Sequence, residues 1–298
     1  MISGFVLGLN YKDDYKITTF YKKRINKLLI PYLIWSVIYI SIDFKAEGFS
    51  LSEIIFKLLT GDGYYHLWFF FLIFQLYFLF PFFRKILNNR GFILLATLLI
   101  IQIAFSYFTQ ELADEGYFLP IIKKLFLTHI FYFGFGIWIA DNLTRVENIL
   151  SGIKTKANIL FFAITVFSSY LFSFNWLALN NYFFDYSNTI FLIEKITLPV
   201  IFILIMINLY SLSERMNLKK FSLINETIPK YSFGIYLSHA LILRLIIKVL
   251  KIIEVTPEDI SFYLLSFSGT LLLSVLFCYI VEKTPISKYL ISVDRKIT

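Results

Sequence analysis

Apolar runs of roughly 17–25 residues, the length that crosses a hydrocarbon layer about 30 Å thick, recur along this chain from end to end. The pattern predicts full spans at 28–44, 66–83, 91–108, 125–140, 158–175, 196–212, 232–250 and 261–281. A shorter apolar stretch, Met1 to Leu9, precedes them. The fold expected is therefore all-α: a polytopic transmembrane helix bundle of about eight complete spans plus a partial N-terminal helix. A spanning barrel would show alternating segments of about ten residues instead, and only helices or closed barrels satisfy their backbone groups in lipid.

The polar segments between the runs alternate in charge. Residues 10–27, 84–90, 141–157, 213–231 and 282–298 hold 20 of the 28 Lys and Arg residues, whereas 45–65, 109–124, 176–195 and 246–260 hold 7. Arg244 lies inside a span. Short cytoplasmic loops carry the basic excess, so the first loop and the C-terminus are expected in the cytoplasm, in a multi-pass membrane protein. The net charge of +8 then reports topology and not a nucleic-acid partner. The outer loop 176–195, with Asn180, Asn181, Asp185 and Asn188, is the largest segment expected to meet an external substrate.

Composition agrees: 58% of the 298 residues are hydrophobic, above the roughly 45–50% of soluble domains. No polar linker separates a second folded domain, and residues 1–298 read as one membrane domain. The single cysteine, Cys278, falls inside the last apolar run, so neither a disulfide framework nor a redox role is suggested. No phosphate-binding GxxxxGK[ST], HExxH, CxxC or GxSxG pattern occurs, so metal hydrolysis and serine-hydrolase chemistry find no support. Nine apolar residues at 1.5 Å each reach about 14 Å, and Met1 to Leu9 reads as half of a transmembrane helix whose beginning is missing.

Four short motifs fall in order on this helix pattern. They are Ile2-Ser3-Gly4; the basic stretch Lys22 to Tyr32, with Lys23, Arg24 and Pro31; His66 to Phe69 with Trp68, followed by Tyr77 and Pro81; and Ser232 to His239 with Tyr236, followed by Glu282 to Pro285. Together they resemble the acyltransferase-3 family of bacterial integral membrane O-acyltransferases, which usually have more spans. The resemblance implies transfer of an acyl group, most commonly acetyl, from cytoplasmic acyl-CoA to a hydroxyl of a cell-surface polysaccharide or its lipid-linked precursor. Acyl-CoA is then a donor substrate, with no bound cofactor and no metal. It also implies that the family's first helix, with an Arg and the His usually taken as catalytic, would lie before Met1. On that expectation the main base is on the missing helix, with His66 and Tyr77 toward the acceptor and Arg24 toward the donor.

Acyl transfer needs a base for the hydroxyl proton, and histidine titrates nearest the working pH. The chain has three: His66, His129 and His239. Helical spacing places His66 on one stripe with Phe70, Ile73, Tyr77, Pro81 and Arg84; this reads either as a channel lining or as an interfacial histidine among aromatic belt residues. Ser232, Tyr236 and His239 share another face, where His239 is either a ligand contact or a satisfied core histidine. His239 is expected seven residues into its span and His66 at the outer end of another, so they should differ in depth by roughly 20 Å and form no pair. Arg244, Lys248 and Lys251 read as snorkelling cations. Lys23 and Arg24 suit acyl-CoA phosphates but equally the positive-inside pattern. Glu282 reads as a partner of those bases or as a solvated helix-end carboxylate. Two other functions fit the same architecture, a glycan or lipid transporter and an inactive truncated acyltransferase; the broken repeat halves typical of transporters are not evident.

Overall fold

In a computed structural model, the structure describes residues 1–11, 15–114, 121–152 and 222–293. Among them every regular element is helical. The α-helices are α1 (Ile2–Asn10), α2 (Ile17–Arg24), α3 (Ile30–Glu47), α4 (Leu51–Thr60), α5 (Trp68–Asp114), α6 (Ile130–Asp141), α7 (Leu143–Gly152), α8 (Ser222–Ile252), α9 (Ile260–Glu282) and α10 (Ser287–Leu290). Five stretches are long and apolar enough to cross a membrane: Ile17–Phe44, Trp68–Leu87, Gly91–Thr109, Thr227–Ile252 and Ile260–Glu282. The span expected at 125–140 is a shorter apolar helix, Ile130–Asp141. Those expected at 158–175 and 196–212, and the outer loop 176–195, lie outside the described residues.

Two differences from the sequence pattern have local causes. The basic loop expected at 84–90 is helical throughout, within α5. Arg84, Lys85, Ile86 and Leu87 are all compatible with a helix, and positive-inside counting registers charge without fixing backbone conformation. The first long span also begins earlier than residue 28, because α2 runs into α3 through a π-helical turn, Ile25–Leu29. That turn immediately precedes Pro31, which offers no N–H and crowds the carbonyl four residues back; the wider π turn absorbs the misfit.

The chain forms two compact units, Met1–Asp14 with Leu76–Lys220, and Tyr15–Gln75 with Phe221–Thr298. In the first, α1 lies on α6 through glycines. A Cβ at Gly4 would sit 2.2 Å from the Phe133 carbonyl oxygen, one at Gly8 2.7 Å from the Ala140 Cβ, and one at Gly136 2.2 Å from the Met1 carbonyl oxygen. Each helix thus presents two small residues four apart, the spacing that lets backbones touch in lipid. Leu7 is buried there, and Ser3 is half-buried beside it. Arg84 of α5 pairs with Asp141 at the end of α6, so the cation at the end of the expected His66 stripe is neutralised by a residue that the stripe did not include.

In the second unit, α3 is the organising helix. Tyr32 donates to the Leu58 carbonyl at 2.6 Å, Trp35 Nε1 to the Leu290 carbonyl at 2.9 Å, and Tyr39 to the Leu237 carbonyl at 2.8 Å. Asp43 meets Arg244 at 2.7 Å. Positions 32, 35, 39 and 43 form one stripe at helical spacing, and through it α3 grips α4, α10 and α8. The core between them is Tyr32, Trp35, Tyr39, Leu67, Phe70, Leu237 and Ala240.

Candidate functional site

The site is built where the turn before α5 meets the middle of α8. Gly61 adopts φ +77°, and its Cβ would lie 2.7 Å from the Trp68 Cα, so only glycine lets the chain fold back so tightly. The turn presses Leu67 into the core and leaves His66 only 6% exposed. The Tyr236 hydroxyl donates to the His66 backbone carbonyl and holds the turn on α8. His239, three residues beyond Tyr236, then faces His66 across 4.9 Å between ring centroids. Tyr39, Tyr64, Tyr65 and Tyr236 surround His66 edge-on at 5.3–5.8 Å.

This juxtaposition corrects the expectation that the two histidines differ in depth by roughly 20 Å. The stretch of α8 able to span starts at Thr227, five residues before the expected 232, so His239 lies twelve residues into it, about 18 Å at 1.5 Å per residue. His66 is not on the α5 face with Phe70 and Ile73 either: α5 begins at Trp68, and His66 belongs to the turn that tucks inward. Ser232 does not join the pair; it is exposed and donates to the Pro229 carbonyl at 2.9 Å.

The two imidazoles are in different states. His239 Nδ1 lies 2.7 Å from the Tyr236 carbonyl, an acceptor, so this nitrogen holds the proton and Nε2 presents its lone pair. Neither ring nitrogen of His66 makes a hydrogen bond, although the Leu237 carbonyl is close enough to favour protonation slightly. His66 precedes the Trp68–Leu87 span. Burial, reinforced by His239, lowers its pKa to about 4, and the ring is neutral near pH 7. A neutral, orphaned imidazole beside one with a directed lone pair can take a hydroxyl proton and share it.

The motif residues have local explanations. A Cβ on Gly234 would come within 2.8 Å of Cys278 Sγ and of Ile291, so this glycine lets α8 close on α9 and α10. Cys278 is buried in that contact, as its place in an apolar run suggested. Glu282 is buried, and Lys230 and the Tyr231 hydroxyl hold its carboxylate, so it is not a solvated helix end. Arg244, read as snorkelling, is instead ion-paired with Asp43, while Lys248 and Lys251 are exposed. Lys23 is exposed in the last turn of α2, Arg24 is half-buried with its guanidinium 5.2 Å from the Phe20 ring centre, and Pro285 is exposed in the turn after α9. Tyr77 and Pro81 belong to the first unit, where the Tyr77 ring lies 6.4 Å from Phe133 and α5 continues through Pro81. His129, also in that unit, pairs through Nδ1 with Thr128 Oγ1 at 2.7 Å. Among the described residues no cluster of three or more metal-ligating side chains occurs.

Long apolar helices around a histidine-centred polar cluster define a multi-pass helical membrane protein with a candidate site for proton transfer. The chain belongs to the acyltransferase-3 family, whose acyltransferase-domain model it matches over residues 1–280. The class is therefore that of membrane acyltransferases. No curated protein and no solved structure matches it.

Proposed function

We propose that this chain is an O-acyltransferase of the bacterial cytoplasmic membrane. It moves an acyl group, acetyl foremost, from cytoplasmic acyl-CoA to a hydroxyl of a cell-surface glycan or its lipid-linked precursor. The observation that supports this best is the His66–His239 contact, with the His239 Nδ1 proton committed to the Tyr236 carbonyl and Nε2 open.

In this reading His239 Nε2 accepts the acceptor's hydroxyl proton as the oxygen attacks the thioester carbonyl. A C–O bond forms, the C–S bond breaks, and the CoA thiolate leaves and takes up the proton from His239. Neutral His66 supplies or accepts a hydrogen bond as charge develops beside it, in surroundings where such a contact is worth more than in water. Arg24 and Lys23 are the residues assigned here to the CoA phosphates, a role that their charge and their position before the first long span support. The basic excess in their loop supports a cytoplasmic position for them.

The test is glycan chemistry in cells. A strain lacking the gene is complemented with the wild-type chain or with His66→Ala, and base-labile acetate on envelope glycans is measured. Lower acetate in the deletion strain, restored by wild type and not by the variant at equal abundance, is expected. Equal acetate in all strains contradicts the assignment.

A further inference from the structure

Asp43 and Arg244 sit inside or at the end of spanning stretches, where ionisable groups are expensive and usually serve a function. Their pair does little as a structural tie: the side chains are 29% and 37% exposed, and exposed pairs contribute only about 0–1 kcal/mol. Their hydrogen-bonding capacity is largely unused. Arg244 Nη1 meets Asp43 Oδ1 at 2.7 Å, and the Tyr64 hydroxyl neighbours the guanidinium. A guanidinium has five N–H donors and a carboxylate two acceptor oxygens. The remainder take no partner among the described residues.

The pair adjoins the histidines. Asp43 lies one helical turn beyond Tyr39, whose ring is 5.3 Å from His66. Tyr64 stacks on Tyr39 at 4.4 Å and reaches His66 at 5.8 Å. Tyr65, 63% exposed, lies 5.3 Å from His66 and offers an open ring face beside a ring whose nitrogens have no partner.

Open donors beside an open acceptor select a particular chemistry. A ligand of either charge is attracted by one member of this pair and repelled by the other 2.7 Å away, so net charge gains little here. A neutral molecule with neighbouring hydroxyls satisfies both, because each hydroxyl donates and accepts. The C–H face of a sugar ring matches the exposed ring of Tyr65. We infer that Asp43, Arg244 and Tyr65 form a recognition subsite for a neutral sugar with adjacent free hydroxyls, held so that one hydroxyl reaches the His66–His239 pair. This rests on the acyl-transfer reading above and names residues that set acceptor specificity.

Binding is measured by saturation-transfer difference NMR on the full chain in nanodiscs. The probes are methyl β-D-glucopyranoside, methyl β-D-galactopyranoside, n-hexyl β-D-glucopyranoside, glucuronic acid and glucosamine. Neutral glycosides are expected to bind, with both charged sugars weaker by about tenfold or more, the value of one charge-assisted hydrogen bond. Asp43→Asn, Arg244→Gln and Tyr65→Ala should each weaken neutral-sugar binding; the exposed Tyr65 position serves as a variant that does not threaten the fold. Binding of the methyl glycosides points to a free glycan, and binding of the hexyl glycoside alone to a lipid-linked one. The inference is overturned if no neutral glycoside binds, if a charged sugar binds as well, or if Tyr65→Ala and a folded Asp43→Asn bind like wild type. Sugar binding without acetyl-CoA turnover would instead defeat the acyl-transfer reading and leave the subsite standing.

Discussion

The Tyr39 hydroxyl occupies an unusual position. It donates to the Leu237 carbonyl at 2.8 Å and accepts from the Leu241 amide at 3.1 Å, two backbone groups four residues apart on α8 that an ordinary helix would pair with each other. The hydroxyl is thus spliced into the α8 ladder on either side of His239, in a site where Tyr39 is only 1% exposed. Tyr39→Phe keeps the ring and its 4.4 Å stack on Tyr64 but removes both bonds. A buried backbone group left without a partner costs about 1–3 kcal/mol. If α8 recloses its own bond the loss falls toward the lower end, at the expense of shifting His239. We expect a net loss of about 2–3 kcal/mol, read as a drop in Tm of about 4–10 °C for the purified protein in detergent, together with reduced acyl transfer. A Tm within about 1 °C of wild type would refute the claim that this hydroxyl completes α8.

Three further perturbations probe other parts of the structure. Gly4→Ala drives a Cβ against the Phe133 backbone and should destabilise the chain by about 1–3 kcal/mol in thermal unfolding; Gly269→Ala, which meets only the flexible end of Ile246, should be neutral or stabilising. Lys230→Met takes one cation away from the buried Glu282 carboxylate and should cost about 1–3 kcal/mol in the same assay, less than a fully buried pair because Lys230 is partly exposed. The low His66 pKa also gives stability a pH slope. The unfolded chain takes up this proton near the ordinary value of 6.5 and the folded chain only near about 4, so stability falls as pH drops through that window; His66→Gln should lose that part of the slope in Tm measured from pH 7 to 4.

Fold class and family were legible because both rest on local signals: apolar run length, and motifs such as His66 to Phe69 and Ser232 to His239. The site was only partly legible. Straight rods with ends set by hydropathy put His66 and His239 far apart, because hydropathy does not register a turn folded inward at Gly61 or the mixed polar and apolar stretch Ser222 to Tyr231 that begins α8. The Tyr32, Trp35, Tyr39 and Asp43 stripe was present at helical spacing all along. Helical spacing alone does not say which other helices such a stripe meets. Arg244 looked like a snorkelling cation because its partner, Asp43, is 201 residues away, beyond anything that a local pattern can show.

The most direct test of the account is single-turnover acetyl transfer from labelled acetyl-CoA by the purified chain in nanodiscs, comparing wild type with His239→Gln. Loss of the base should slow the chemical step by about 10²–10⁴-fold while thermal stability and sugar binding persist. Transfer by His239→Gln at the wild-type rate would show that the proton leaves by another route and that the paired histidines are not the catalytic centre.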